Sequence, residues 1–332
     1  MSQKTNWLPL IISLTILASL NLIMVSSIAP KYFGKQLLAW IFGLCLFFIG
    51  RFLNPKLMAL YKWPLFIFSV LFLLCPYIAN NFVRGSRRWL NIGPLSIQPS
   101  ETVRPLLMIF LATSTMPIFH LIPVTLIALA PDLGSAISVL VLMIPVIFFN
   151  KNYLKLSLII IVCGLALSPL IWKYGLKNYQ QHRILTFLNP NSDPLDKGYN
   201  VIQSKIAIGS GGFWGKGYKK GTQGQLLFLP EKHTDFMLAA TAEELGFVGI
   251  LIILGAYYLL SSTLLTHAYS IDNRPLFIFT LGIFFLFWFQ FFVNIGMNLG
   301  ILPVTGIPLP FLSVGGSSLM SLLFSLGICF ST

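Results

Sequence analysis

Acid chemistry in this chain has few places to reside, because it holds only nine carboxylates: Glu101, Asp132, Asp193, Asp196, Glu231, Asp235, Glu243, Glu244 and Asp272. In apolar surroundings each costs about 2.5 kcal/mol or more, so such groups persist where they are paired, face a cavity or act on something. Four clusters of residues stand out around them. In the first, Arg84-Gly-Ser-Arg87-Arg88-Trp89 precedes Gln98-Pro-Ser-Glu101-Thr-Val-Arg104. Ser100 is expected to cap a helix, with Glu101 in its first turn and Arg104 within pairing reach three residues on. A capped helix with an ion pair would account for the pattern, but three nearby guanidinium groups also suit a phosphate or pyrophosphate gripped bidentately. In the second cluster, Asp132 within Ala130-Pro-Asp-Leu-Gly134 is placed to cap a helix starting at Leu133.

The third cluster is a long polar stretch with Arg183, Asn189-Pro190, Tyr199, Gln203 and Ser204, followed by a glycine-rich run carrying Lys216, Lys219 and Lys220. Ser210 to Lys216 imitates a phosphate-binding P-loop, but position 210 is not glycine and Lys216 precedes Gly217 rather than Ser or Thr, which argues against that assignment. The run is a solvated loop or a cover over a substrate. In the fourth cluster, Thr234 is expected to cap a helix with Asp235 in its first turn, where the dipole favours a carboxylate. Glu243 and Glu244 follow, and adjacent glutamates sit badly in lipid. Either 235–245 forms an interfacial half-helix before a span at 246–265, or the outer part of that helix lines a wet cavity. His233 beside Asp235 invites a triad reading, yet no G-x-S-x-G elbow supplies a nucleophile. His233 is better read as fixing local structure.

The elements that must position these groups are membrane helices. Of 332 residues 56% are apolar and 9% charged, against about 25% charged in a soluble domain. Runs at 7–29, 36–53, 57–79, 133–150, 154–172, 246–265, 275–298 and 312–330 are long enough to cross hydrocarbon. Residues 101–131, punctuated by Pro105, Pro117 and Pro123, suit two short helices joined by a turn near Ser114 to Pro117. The expected fold is therefore an all-α integral membrane protein of about ten transmembrane helices. It forms one polytopic domain over 1–332, with a long extracytoplasmic loop at about 173–235. Residues 8–29 are read as an uncleaved span, since Pro30 would follow any signal-peptide cut.

Net charge is +13, and because the bases flank apolar runs, anionic lipid is a better partner for them than nucleic acid. Cytoplasmic termini place Lys4, Arg51, Lys56, Lys62, Lys151, Lys155 and Arg274 inside, against Lys31, Lys35, Arg84, Arg87 and Arg88 on short outer loops and nine bases in the 173–235 loop, which at about 60 residues is near the length where the positive-inside rule stops counting. That balance favours cytoplasmic termini. The outer bases then call for an anionic ligand. Cys45, Cys75, Cys163 and Cys329 each lie in apolar runs without a CxxC spacing, which points away from a disulfide framework or zinc site.

Several ordered motifs closely resemble the SEDS family (shape, elongation, division and sporulation). They are Arg87-Arg-Trp-Leu-Asn-Ile-Gly to Gln98-Pro-Ser-Glu101, Pro131-Asp-Leu-Gly134, Tyr199 to Ser204 through Gly215-Lys-Gly217, Pro230-Glu-Lys-His-Thr-Asp-Phe236 and Glu243-Glu-Leu-Gly246. Asn294-Ile-Gly-Met297 and Leu302 to Phe311, followed by Ser313 and Gly315-Gly-Ser317, complete the set. Within the family the chain looks more like elongation members than division members.

The resemblance implies a ten-helix peptidoglycan glycosyltransferase of the cytoplasmic (inner) membrane. It would polymerise lipid II, the undecaprenyl-pyrophosphate-linked disaccharide pentapeptide, on the outer side. It further implies a class B penicillin-binding protein as crosslinking partner within the elongation machinery, and Asp235 as the essential carboxylate. Arg87, Arg88, Arg104 and the loop lysines, Lys216 among them, would serve the pyrophosphate. Glu101 and Asp132 would place substrate or hold a divalent cation (Mg or Mn), the one cofactor left open. Gln203, Ser204 and His233, inside the same motifs, join the expected substrate-binding set. Arg104 stands where the family usually has lysine, Val314 where it has tyrosine and Ala130 where it has glutamine. The connection from 104 to 131 looks shorter than usual by more than ten residues, and the chain stops at Thr332, so contacts through a tail are not expected.

The alternatives are a flippase or transporter for the lipid precursor, which shares spans, cavity and bases, and a scaffold without activity. A transporter would keep its acids near the midplane for coupling. Asp235 instead falls at a helix start near the outer surface.

Overall fold

The computed structural model describes residues 7–78, 88–92, 95–130, 132–149, 155, 181, 197–226 and 228–331. Arg84, Arg87, Arg183, Asn189, Pro190 and, residue 155 apart, the span expected at 154–172 lie outside them. The first span forms as α1 (Leu8–Ile28), and its faces explain the composition. Ser13, Asn21 and Ser27 are buried while Leu8, Ile11, Ile12 and Ile23 are exposed. Apolar side chains facing out and polar ones facing in suit a solvent of hydrocarbon, where backbone groups must be satisfied within the segment. This is a multi-pass α-helical membrane protein.

After α1 come α2 (Phe33–Arg51), α3 (Pro55–Leu60) and α4 (Lys62–Ile78). A hairpin of β1 (Leu90–Ile92) and β2 (Leu95–Ile97) pairs Leu90 opposite Ile97, then α5 (Pro99–Thr102) leads into α6 (Arg104–Thr113). Next are α7 (Leu121–Leu129), α8 (Leu133–Val141) and α9 (Ile144–Phe148). The third cluster contributes α10 (Lys197–Ser210) and α11 (Thr222–Gln225). The chain closes with α12 (Met237–Tyr269), α13 (Arg274–Asn298) and α14 (Gly316–Cys329). Four helical segments among the described residues are long and apolar enough to span a membrane: Leu8–Ile28, Pro30–Arg51, Met237–Tyr269 and Arg274–Asn298.

Two short helices do occupy 101–131, with the turn at Ser114 to Met116. They have 10 and 9 residues, and at 1.5 Å per residue each reaches about 15 Å, half the hydrocarbon thickness. Two caps differ from expectation. Ser100 is not the cap of α5: the helix starts at Pro99 after Gln98, because proline's fixed φ and missing N–H suit the first helical position. Thr234 does not cap α12 either. The carbonyl of Glu231 takes the N–H groups of Thr234, Asp235 and Phe236 at 3.3, 3.2 and 3.2 Å, and this turn delays the helix to Met237.

Both ends of the described chain meet at one end of the bundle, where the rings of Trp7 and Phe330 are 5.0 Å apart and Arg51 lies over Trp7. Helices α2 and α14 approach through glycines: a Cβ on Gly327 would fall 2.0 Å from the Phe47 carbonyl oxygen. Such close approach of backbones substitutes for the hydrophobic drive that lipid does not supply. At the opposite end lie the C-termini of α1, α4 and α13 and the N-termini of α2, α6, α8, α12 and α14. The motif residues gather there.

Candidate active site

One structure at that end is built on an interrupted helix. Gly246 has φ 68° and ψ −165°, which ends a half-helix 237–245 and starts a second helix at Phe247. A break of this kind strands carbonyls on one side and N–H groups on the other. The glycine-rich segment supplies both partners. Lys216 and Gly217 donate their N–H groups to the Glu243 and Glu244 carbonyls at 2.9 Å each, and Phe247 and Val248 donate theirs to Gly212 and Phe213 at 3.0 and 3.2 Å.

The two glutamate side chains join the same contact. Glu243, fully buried, accepts from Lys216 Nζ at 2.7 Å, Thr222 Oγ1 at 2.9 Å, and the Gln223 and Gly224 N–H groups. Glu244 accepts from Ser27 Oγ on α1, the Lys219 N–H and Gln225 Nε2. Of the two arrangements open for 235–245, the half-helix is the one observed, and buried donors take the place of a wet cavity around the glutamates. The glycine-rich run is a fixed clip, and Lys216 within it is committed to Glu243. The neighbouring Lys232 ammonium is held below the usual lysine range by burial, against the pull of the Glu244 charge and with Lys31 reinforcing the shift.

Asp235 stands just ahead of this half-helix, partly exposed. Its carbonyl accepts from Asn294 Nδ2 at 3.1 Å and Asn298 Nδ2 at 3.0 Å, both on α13. Gly306, in the loop 299–315, has φ 76° and lies against the carboxylate, since a Cβ there would be 3.7 Å from Asp235 Oδ2. His233 stacks on Tyr32 with ring centres 4.8 Å apart, and its carbonyl accepts the Val314 N–H at 2.9 Å. Val314, where the family usually has tyrosine, packs with Met24, Val25, Ile28 and Met237, so an aliphatic side chain suits the position. Ser204 is buried on α10 and donates to the Asn298 carbonyl at 2.8 Å, while Gln203 is half-buried on the same helix.

The first and second clusters meet. Glu101 and Arg104 form the i, i+3 ion pair that their spacing predicts, both nearly inaccessible. Ser321 on α14 donates to the Glu101 carbonyl at 2.7 Å. Asp132 caps α8 by accepting the Ser135 N–H at 3.2 Å and also takes Gln98 Nε2 at 3.1 Å. Arg88 reaches it at 3.4 Å. Arg88, Asp132, Ser100 and Ala130 line a small pocket. As for a divalent cation, no three His, Cys, Asp or Glu side chains among the described residues are arranged to hold one. Glu101 and Asp132 instead face arginines. Asparagine caps a helix about as well as aspartate, and the half-exposed Arg88 pair contributes little, so Asp132→Asn is expected to lose less than about 0.5 kcal/mol while Asp132→Ala loses about 1 kcal/mol or more. Thermal unfolding of the two detergent-solubilised variants checks this difference.

Sequence reasoning placed Ser313 and Ser317 in a family motif without assigning them a role in joining these parts. Ser313 donates to the Thr234 carbonyl, and Ser317 accepts the Gln98 N–H at 3.1 Å. It also assigned no role to Asn294 and Asn298. Their signal was present, as two amides four residues apart in an apolar helix fall on one face.

The comparisons with known proteins agree with this architecture. The model of the FtsW/RodA/SpoVE family, described as cell cycle proteins, matches residues 4–332. The chain belongs to this family. Peptidoglycan glycosyltransferase MrdB of Escherichia coli K12 is 38% identical over 303 residues, covering 87% of this chain and 82% of the relative. The probable peptidoglycan glycosyltransferase FtsW of Trichlorobacter lovleyi is 34% identical over 289 residues, covering 80% and 74%. Among solved structures, a chain from "Structural coordination of polymerization and crosslinking by a peptidoglycan synthase complex" superposes with a TM-score of 0.85 at 31% identity, covering 98% of this chain and 96% of that one. In family terms, the half-helix, its clip and the loop 299–315 all fall within the matched region.

Proposed function

We propose that this member of the FtsW/RodA/SpoVE family uses Asp235 to polymerise lipid II. The chain is a peptidoglycan glycosyltransferase, as its relatives are. The observation that carries the mechanism is a partly exposed carboxylate whose backbone is fixed by two buried amides, at the same end of the bundle as a buried group of acids and arginines. In the reaction, an acceptor sugar hydroxyl attacks the anomeric carbon of a donor sugar, forming the new glycosidic bond as the bond to the lipid pyrophosphate breaks. The hydroxyl proton passes to Asp235 as general base. The departing pyrophosphate gains negative charge, which Arg88, half-exposed and shared with Asp132, would stabilise. Arg104, buried against Glu101, orients that acid rather than meeting substrate directly.

Further parts of the reading rest on the sequence resemblance, namely the elongation role, a penicillin-binding protein as crosslinking partner and the inner membrane as location, while cytoplasmic termini rest on the balance of bases on short loops. With termini inside, the Asp235 end of the bundle faces outward, where lipid II is consumed. The experiment is to incubate purified lipid II with the protein, alone and with its cognate penicillin-binding protein inactivated for crosslinking, and to resolve glycan length on a gel. Long glycan is the expected result. Lipid II bound but never polymerised in either combination would overturn the assignment.

A further inference from the structure

The backbone of Asp235 is held from a single face of α13. Asn294 Nδ2 donates both to the Asp235 carbonyl at 3.1 Å and to the Ile307 carbonyl at 2.8 Å. Asn298 Nδ2 donates to the same Asp235 carbonyl at 3.0 Å and to the Asn294 carbonyl at 2.8 Å. Asn298 Oδ1 accepts the Ala239 N–H at 3.2 Å, tying in the half-helix that follows. Both asparagines are fully buried. Buried amides are tolerated inside a membrane bundle when their hydrogen bonds are made, and most of these bonds leave the helix for the segments around the carboxylate.

We infer that Asn294 and Asn298 are positioning residues that set where the Asp235 carboxylate stands relative to the loop 299–315 and the acids beyond it; this rests on the catalytic reading of Asp235. A carbonyl oxygen has two lone pairs, and here two donors take them, which fixes the peptide plane after Asp235 and with it the direction in which its side chain leaves the backbone. The Asn294 amide also grips Ile307, next to Gly306, which lies against the carboxylate. The same loop touches the helix capped by Asp132, since a Cβ on Gly134 would meet the Thr305 carbonyl oxygen at 3.0 Å and Ile307 Cγ1 at 3.1 Å. One amide therefore joins the carboxylate to a loop that rests on the other acid cluster.

The test compares Asn294→Ala, Asn298→Ala and a control, Thr280→Ala, in the full-length protein with its cognate partner and lipid II. Thr280 is buried on the same helix and donates to the Leu276 carbonyl, and it lies 14 residues before Asn294, about 20 Å along the axis. Misplacing a catalytic group by about 1 Å costs about 100-fold in rate. Each asparagine variant is therefore expected to lose about 10- to 100-fold in kcat, with KM changed less than about twofold, and the control to keep its kcat within about twofold. Asn298→Ser, with a shorter hydrogen-bonding side chain, replaces the alanine variant where that fails to fold. Unchanged kcat in the asparagine variants, or an equal loss in Thr280→Ala, overturns the inference. Full activity of Asp235→Asn would instead overturn the catalytic reading on which it rests, so the two failures are separable.

Discussion

Replacing Asp235 by asparagine is expected to lower glycan synthesis by about 100- to 10,000-fold, the usual contribution of a general base. The change is close to isosteric and removes the proton-accepting carboxylate while keeping the main chain. Asparagine retains the bonds at the carbonyl and N–H, which receive Asn294 and Asn298 and reach Glu231. Folding should therefore be preserved, and a thermal midpoint matching the wild type is part of the expected result. Binding of lipid II should persist as well, because the arginines are unaltered. Measured on length-resolved glycan, a rate within a few-fold of wild type would show that the proton leaves by another route.

The largest effect on stability is expected from Gly246→Ala. At φ 68° and ψ −165° the residue occupies a region that is essentially glycine's alone, where other residues incur about 1–3 kcal/mol of strain. Space is lacking too. A Cβ would come within 2.2 Å of the Gly215 nitrogen and 2.6 Å of the Phe213 carbonyl oxygen, so the clip would have to move away. Its withdrawal exposes the ends of two helices and removes donors from Glu243 and Glu244. The combined cost should exceed about 4 kcal/mol, the range reserved for broken buried networks. Loss of monodisperse protein, or a marked drop in thermal midpoint, checks it. Gly255 lies later in the same helix with open space around it, and alanine there should be tolerated.

How far such a site can be read from residues depends on the range of the interactions involved. Where partners are near in the chain, spacing was enough: Glu101 met Arg104 through the i, i+3 geometry of a helix, and Asp132 capped α8. The long apolar runs that became α1 and α13 were equally plain, since a span of hydrocarbon demands them. Thr234 and Ser100 misled because Ser and Thr are good caps in general, while an adjacent turn or proline decided the local start. The hairpin of β1 and β2 went unseen because three-residue strands hold too little alternation to register.

The clip was out of reach for another reason. Glu243 and the groups that satisfy it are separated by 19 to 27 residues, and a glycine-rich segment has no periodicity to say which way it folds. Its fixed form follows from what it meets, the open ends of a broken helix.

That clip also bears on how the protein is made. The chain is synthesised from its N-terminus, so residues 211–225 leave the ribosome before the half-helix and the span that they complete. When Glu243 and Glu244 emerge, their donors have already been delivered, and Ser27 of the first helix, which reaches Glu244 at 2.8 Å, is older still. The acidic half-helix thus emerges into a chain that already carries the donors for its carboxylates. Biogenesis can proceed in chain order, each late element docking on an earlier one, and an insertion between 211 and 225 would be felt first as a defect of assembly and only afterwards as a defect of catalysis.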